Sequence, residues 1–243
     1  MTAQGTIWGV GLGPGDPDLM SVRADRLLRG ARHVAYFRKA GCQGHACSIA
    51  RDLLPPDVTE IAMEYPVTTE IPLTDPRYNA LLSAFYDDCS ARLRALSDAG
   101  HEVLVLAEGD PFFYGSFMHL YTRLRDLAPV RVVPGITGMA AAWTATGEPI
   151  TWGDDVMVVL MGTLSEDALT ERMRQADALV VMKIGRNIDK IRRALQRADR
   201  YQAAWLVEYA AMPGQTVQRL SESEGRITPY FSIVVVHGQG RRP

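Results

Sequence analysis

Short apolar runs alternate with helical periodicity along the first half of the chain. Ile7 to Val10 predicts a buried strand, and a helix begins near Ser21, where a capping serine precedes alternating apolar and basic residues. His33 to Phe37 predicts a second strand, His45 to Leu54 a helix, and Pro76 to Ala99 a long helix that stops at Gly100, a residue suited to the left-handed position past a helix end. Glu102 to Ala107 and Val130 to Val133 are the next strands. Such alternation of strands and helices predicts an α/β architecture on a parallel sheet.

Past the polar turn Trp152-Gly153-Asp154-Asp155, which reads as a linker, four more strands are predicted: Val156 to Met161, Ala178 to Met182, Ala203 to Val207 and Tyr230 to Val236. Helices fill Glu166 to Ala176 and Asn187 to Ala198. The last strand is bounded by turn residues and is expected to run antiparallel. The pattern gives two α/β domains, residues 1–150 and 151–243. Arg192, Arg193 and Arg197 are expected on an exposed helix face, and the tail Gly240-Arg241-Arg242-Pro243 to be frayed.

Composition narrows the class. Nearly half the 243 residues are apolar, enough for full-sized cores. No run of about eighteen apolar residues and no basic-then-apolar N-terminus occur, so neither a membrane span nor a signal peptide is expected, and a cytoplasmic location is. The three cysteines, Cys42, Cys47 and Cys89, suit reduced thiols. Cys42, His45 and Cys47 lack a second cluster to complete four ligands, so no metal is expected. A net charge of -2 argues against nucleic acid as a partner but allows a local basic pocket.

Candidate chemistry gathers at strand ends. Gly11-Leu12-Gly13-Pro14-Gly15-Asp16-Pro17-Asp18 joins the first strand to the first helix but lacks the spacing of a dinucleotide loop. Pro14 removes a donor, and Asp16 and Asp18 repel a diphosphate. Either the backbone is cleared for a phosphate-free ligand, or this is only a tight turn. Glu108-Gly109-Asp110-Pro111-Phe112-Phe113-Tyr114-Gly115-Ser116 follows a buried strand, where α/β sheets bind ligands. Asp110 is suited to accept from a ligand, with aromatics walling an apolar cleft; the alternative is a helix start with core aromatics. Pro134-Gly135-Ile136-Thr137-Gly138 repeats the design, with Thr137 and nearby N–H groups able to meet a carboxylate, ahead of a helix of small residues that has packing as its bland alternative. His237 follows the last strand as a cap, and Met157, Met161 and Met182 read individually as core.

In order and spacing these three turns, together with Leu179-Val180-Val181-Met182-Lys183, Glu208-Tyr209-Ala210 and the terminal Ile233-Val234-Val235-Val236-His237-Gly238, resemble the tetrapyrrole (cobalamin) methylase family over nearly the whole chain. The resemblance implies two α/β domains of the class III methyltransferase fold with S-adenosylmethionine in the cleft between them, as a homodimer. Carried over by motif, Pro14, Glu108, Gly109, Asp110, Phe113, Thr137, Gly138, Met182, Tyr209 and Ala210 are expected to touch the cofactor. The chain departs from the commoner pattern at Met20, where endings in Thr are usual, and at Ala210-Ala211, where Gly-Thr is frequent.

The turn from Glu108 to Met118, with Pro66-Val67-Thr68-Thr69-Glu70, looks like the branch that methylates C20 of precorrin-2 on the way to cobalamin. Glu108, Asp110 and Tyr114 are the candidates to help relocate a proton. Arg38, Lys39, Arg77, Lys183 and Arg186 are the candidates to meet the tetrapyrrole's carboxylates. Rival readings are a cobalt-containing substrate or another macrocycle carbon, a nucleotide-dependent oxidoreductase, disfavoured by the proline loop, and a non-catalytic tetrapyrrole carrier.

Overall fold

The computed structural model describes residues 3–68, 71 and 75–241, which divide into two compact units, 1–137 and 138–243. The first holds strands β1 (Ile7–Gly11), β2 (His33–Lys39), β3 (Thr59–Tyr65), β4 (Val103–Ala107) and β5 (Val130–Val133), with helices α1 (Val22–Arg29), α2 (His45–Ala50), α3 (Pro76–Asp98) and α4 (Phe117–Leu124). The strands pair in the order β3-β2-β4-β1-β5, every pair parallel. Parallel pairing buries both faces of a central strand, which is why β1 and most of β4 are apolar without alternation. One face packs Trp8, Val10, Leu104 and Leu106 under α1 and α2, and the other packs Ile7, Val103 and Val105 under α3 and α4.

Local signals place the helix ends where the sequence predicts them. Ser21 caps α1 by accepting from the Ala24 N–H at 3.2 Å, and Gly100 takes a φ of 86° just past α3. The segment expected as one helix from His45 to Leu54 is α2 followed by a short 3-10 turn, Arg51–Leu53. Beyond it lies β3, which the apolar pattern did not reveal; it is an edge strand with exposed and half-buried positions around a single buried residue, Met63.

The second unit comprises α5 (Gly138–Ala145), β6 (Met157–Met161), α6 (Glu166–Arg174), β7 (Ala178–Met182), α7 (Ile188–Arg197), β8 (Trp205–Glu208), β9 (Thr216–Arg219) and β10 (Ser232–Val236). Its sheet runs β6-β7-β10-β8-β9, and β10 is antiparallel to both β7 and β8, as expected of the last strand. Because β10 reverses direction, β7 and β8 are parallel and end on the same edge.

Four sequence expectations are corrected here. The division falls after Thr137 rather than after residue 150, because α5 buries Ala142 against Val207, Ala210 and Val235 of the second sheet. The turn from Trp152 to Asp155 is not a free linker: Asp155 Oδ2 accepts from the Trp152 N–H at 2.8 Å, the Asp155 N–H donates to the Trp152 carbonyl at 2.9 Å, and Gly238 and Gly240 pack against the Asp155 carboxyl. The tail is tied down as far as Arg241, whose guanidinium meets Asp154 at 3.1 Å; Arg242 and Pro243 lie outside the described residues. Finally, Arg192 is only 7% exposed, because it shares the inward stripe of α7 with Ile188, Ile191 and Leu195. It pairs with Asp189 and donates to the Ser223 carbonyl, while Arg193 and Arg197 pair with Glu166 and Asp167 on α6. Among the described residues no helix is long and apolar enough to cross a membrane.

Candidate active site

Three turns leave the carboxyl ends of the adjacent strands β4, β1 and β5, and the backbone knits them together. Past β1 the Leu12 N–H donates to the Ala107 carbonyl at 2.9 Å; Gly13 and Gly109 then exchange hydrogen bonds of 3.3 and 2.7 Å. Gly135 lies so close that a Cβ there would sit 2.0 Å from the Gly109 carbonyl oxygen, and one on Gly11 would sit 2.6 Å from the Gly135 nitrogen. No side chain fits at either position. Asp110 completes the tie, with Oδ2 accepting from the Gly135 N–H at 3.0 Å and Oδ1 from its own Phe112 N–H at 2.8 Å. The carboxylate expected to serve a ligand therefore holds two turns in register.

The same bonds leave the first turn poorly suited to phosphate. The N–H groups of Leu12 and Gly13 are spent on Ala107 of β4 and on Gly109 just past it, Pro14 has none and is buried, and Asp16 accepts from the Asp18 N–H to cap the 3-10 turn Pro17–Leu19.

Glu108 stands at the end of β4. Its side chain keeps solvent-accessible surface, yet protein atoms crowd the carboxyl enough for desolvation to push it above the ordinary carboxylate range; His45 and a hydrogen bond from the Ala46 N–H offset part of that rise. Both partners belong to the first turn of α2, which is itself anchored. Gly44 packs against the Tyr36 ring, the Tyr36 hydroxyl donates to Glu60 Oε2 at 2.7 Å, and the Cys47 thiol reaches the same oxygen at 3.4 Å. The Tyr36 hydrogen bond, helped by Cys47 and Arg51, holds the Glu60 carboxyl below its ordinary 4.5, against the opposing effect of burial. Burial pushes the Cys47 thiol up, so it is a packing group rather than a nucleophile.

Because the folded carboxyl of Glu60 titrates below its unfolded value, its stabilisation is present above pH 4.5 and is lost as pH falls through the lower folded value. Glu60→Gln is expected to cost about 1.5 kcal/mol at neutral pH, the low end of the worth of a hydrogen bond to a charged acceptor. It should also flatten the acid limb of the thermal midpoint plotted against pH. A variant as steep as the parent on that limb would remove Glu60 from the account.

In the second unit Met182 is the last residue of β7, and Tyr209 and Ala210 follow the parallel strand β8. Lys183, Tyr209 and Ala211 have φ of 52°, 53° and 56°, conformations that non-glycine residues seldom adopt. The Tyr209 N–H donates to the Phe231 carbonyl and its own carbonyl accepts from Met212; Ala211 donates to Gln215 Oε1. The left-handed positions flank Ala210, so the departure from glycine there carries no backbone cost.

A family model for tetrapyrrole (corrin/porphyrin) methylases matches residues 6–224. The chain belongs to that family. It is 45% identical to a precorrin-2 C(20)-methyltransferase of Sinorhizobium sp over 98% of both chains, and 29% identical to the cobalt-precorrin-2 C(20)-methyltransferase of Salmonella typhimurium over 97% of both. Its fold is that of a uroporphyrin-III C-methyltransferase from Thermus thermophilus solved with S-adenyl homocysteine, with a TM-score of 0.66, 24% identity and coverage of 96% of this chain and 92% of that one.

Of the residues that the methylase resemblance singles out, Glu108, Gly109, Asp110 and Phe113 share one turn, and Pro14 lies one residue past its Gly13 bridge; Thr137 and Gly138 continue the turn after β5. The proposed cations are less coherent. Arg38 pairs with its cross-strand partner Glu64 at 2.7 Å, and Arg77 pairs with Asp75, the cap of its own helix. Lys39, Lys183 and Arg186 are exposed. Thr69 and Glu70 of the branch-specific stretch lie outside the described residues. Two features escaped the sequence: the Asp110 tie to Gly135, and a hydroxyl cluster in which Ser116 Oγ accepts from Tyr86 at 3.1 Å and bonds to Tyr65. Tyrosines and serine spread across α3, β3 and a turn leave no local trace.

Proposed function

We propose that this methylase transfers the methyl group of S-adenosylmethionine to C20 of precorrin-2, giving precorrin-3A in corrin biosynthesis, and acts in the cytoplasm as a homodimer. The observation that carries the substrate and position is the 45% identity to a precorrin-2 C(20)-methyltransferase across 98% of both chains. The cobalt-containing substrate is the second reading, favoured by the 29% identity to the cobalt-precorrin-2 enzyme.

The residues present suit the cofactor. The glycine-lined convergence of Gly11, Gly109 and Gly135 offers backbone to close approach, the Leu12 and Gly13 N–H groups are already bonded, Pro14 has none, and Glu108 supplies negative charge; together these favour a cationic, phosphate-free ligand. Pro14, Glu108, Gly109, Asp110, Phe113 and Thr137 are the proposed contacts of the first unit, and Gly138, Met182, Tyr209 and Ala210 those of the second. When bound, the cofactor supplies an activated sulfonium methyl. The chain's task is to hold the electron-rich carbon in line with it, and orientation of that kind is worth about 7–11 kcal/mol in favourable cases. The methylated carbon must then lose its proton. Asp110 is committed to two backbone N–H groups, whereas Glu108, at the end of β4, keeps solvent-accessible surface, so we assign the acceptor role to Glu108 and support of the turns to Asp110.

Incubation with methyl-labelled S-adenosylmethionine and either precorrin-2 or its cobalt form, followed by mass and NMR assignment, is expected to place label on C20 with preference for the metal-free macrocycle. No label on either macrocycle would sink this reading, and label on another carbon would reject the branch while keeping the family.

A further inference from the structure

The turn between β4 and α4 is an arch pinned at both feet. At one foot Asp110 binds the Gly135 N–H beyond β5; at the other Ser116 Oγ accepts from the hydroxyl of buried Tyr86 on α3 and bonds to that of Tyr65, the last residue of β3. In the sheet order β3-β2-β4-β1-β5 these feet reach toward opposite edges. The arch thus spans the carboxyl edge of the first sheet, and its Ser116 half lies on the side away from the glycine convergence.

Tyr114 stands on that half, two residues from the clamp. Its φ is 53°, a costly conformation for a bulky side chain, yet 44% of its surface stays exposed. Its ring meets only that of Phe113 among the described aromatics, edge-on at 4.9 Å, and its hydroxyl has no hydrogen-bond partner among the described residues. By contrast Phe112, equally exposed, is packed on Tyr121 of α4 at 4.7 Å. A strained, rigidly supported and outward-facing phenol is what an extended planar ligand bearing carboxylates needs: an aromatic face for the conjugated ring and a donor for an acid group.

We propose that Tyr114 is a substrate-contacting, specificity-determining residue, its ring set against the tetrapyrrole face and its hydroxyl donated to a tetrapyrrole carboxylate. Ser116, clamped by Tyr65 and Tyr86, is the positioning residue that presents it. The proposal rests on the reading that the substrate is a tetrapyrrole and adds the residue that recognises it.

Glycine is at ease where Tyr114 is not, so Tyr114→Gly should leave the thermal midpoint unchanged or raise it. The same variant should raise KM for precorrin-2 about tenfold, the scale of one lost aromatic stacking contact, with the calorimetric Kd for S-adenosylhomocysteine unchanged. Tyr114→Phe, which keeps the ring and the backbone, should fall between parent and Tyr114→Gly. Ser116→Ala should raise KM in the same sense, and Ser116→Thr, which keeps the hydroxyl, should restore it. A Tyr114→Gly enzyme with parental KM overturns the proposal, as does one whose KM rises only together with the S-adenosylhomocysteine Kd. A Ser116→Ala enzyme with parental KM overturns the positioning role. Failure of the parent protein itself to bind S-adenosylhomocysteine or to methylate precorrin-2 is a failure of the functional reading instead, and is seen before any variant is made.

Discussion

Gly135→Ala is expected to lose cofactor binding and much of the stability of the first unit. The new Cβ would lie 2.0 Å from the Gly109 carbonyl oxygen and 3.0 Å from the Gly11 Cα, and it is fixed to the backbone, so no rotamer relieves the clash. Only movement of the turn after β5 away from the turns after β1 and β4 makes room. Overpacking of a tight contact costs typically about 1–3 kcal/mol, and each kcal/mol is worth about 2–4 °C of melting temperature in a protein of this size. The same movement pulls the Gly135 N–H from Asp110 and opens the surface proposed for the cofactor. Gly115→Ala is the control, since its Cβ would meet nothing closer than 3.5 Å and its φ is not left-handed. Calorimetry with S-adenosylhomocysteine and thermal denaturation of the two variants make the comparison. Equal behaviour would mean that the close approach of the three turns is not what the cofactor depends on.

The second large effect is expected at Asp110. Alanine there removes both acceptors at once and leaves the N–H groups of Phe112 and Gly135 to find others; a lost hydrogen bond to a charged group is worth about 1.5–3 kcal/mol. Asparagine keeps one oxygen and turns a second donor toward an N–H, so it should lie between. The cofactor's dissociation constant is expected to rise in the order parent, Asp110→Asn, Asp110→Ala, by about tenfold or more at the last step. Because the carboxylate acts here through the turns, the melting temperature should fall in the same order. Cofactor binding by Asp110→Ala at parental affinity would remove the residue from the site altogether.

What the sequence revealed follows burial. The strands from Val130 to Val133 and from Ala178 to Met182 have the bounds their apolar runs predict, and Ser21 and Gly100 mark helix ends because their chemistry acts on neighbouring backbone. The two strands that escaped, β3 and β9, are both sheet edges. An edge strand has a half-solvated face and carries residues such as Glu60, Glu64, Gln218 and Arg219, so its hydrophobic signal fades. α4 escaped because the proline of Asp110-Pro111 suggests a helix start, whereas Asp110 spends its carboxylate on an irregular arch. The glycine-proline turns were legible as places of close approach, since only glycine serves there. Which turn approaches which was not, because the Gly13–Gly109 bridge and the Asp110–Gly135 bond join residues far apart in sequence.

The position of β10 bears on how the polypeptide acquires its structure during synthesis. All five strands of the first sheet have been made once Val133 has left the ribosome, so that unit can close early. The second cannot, for its central strand is the last to be made: until residues 232–236 emerge, β7 and β8 are held apart with open edges, the kind of edge that pairs with other chains. The nascent protein therefore passes through an interval with one finished unit and one unfinished sheet, and its hazard of aggregation is confined to the second.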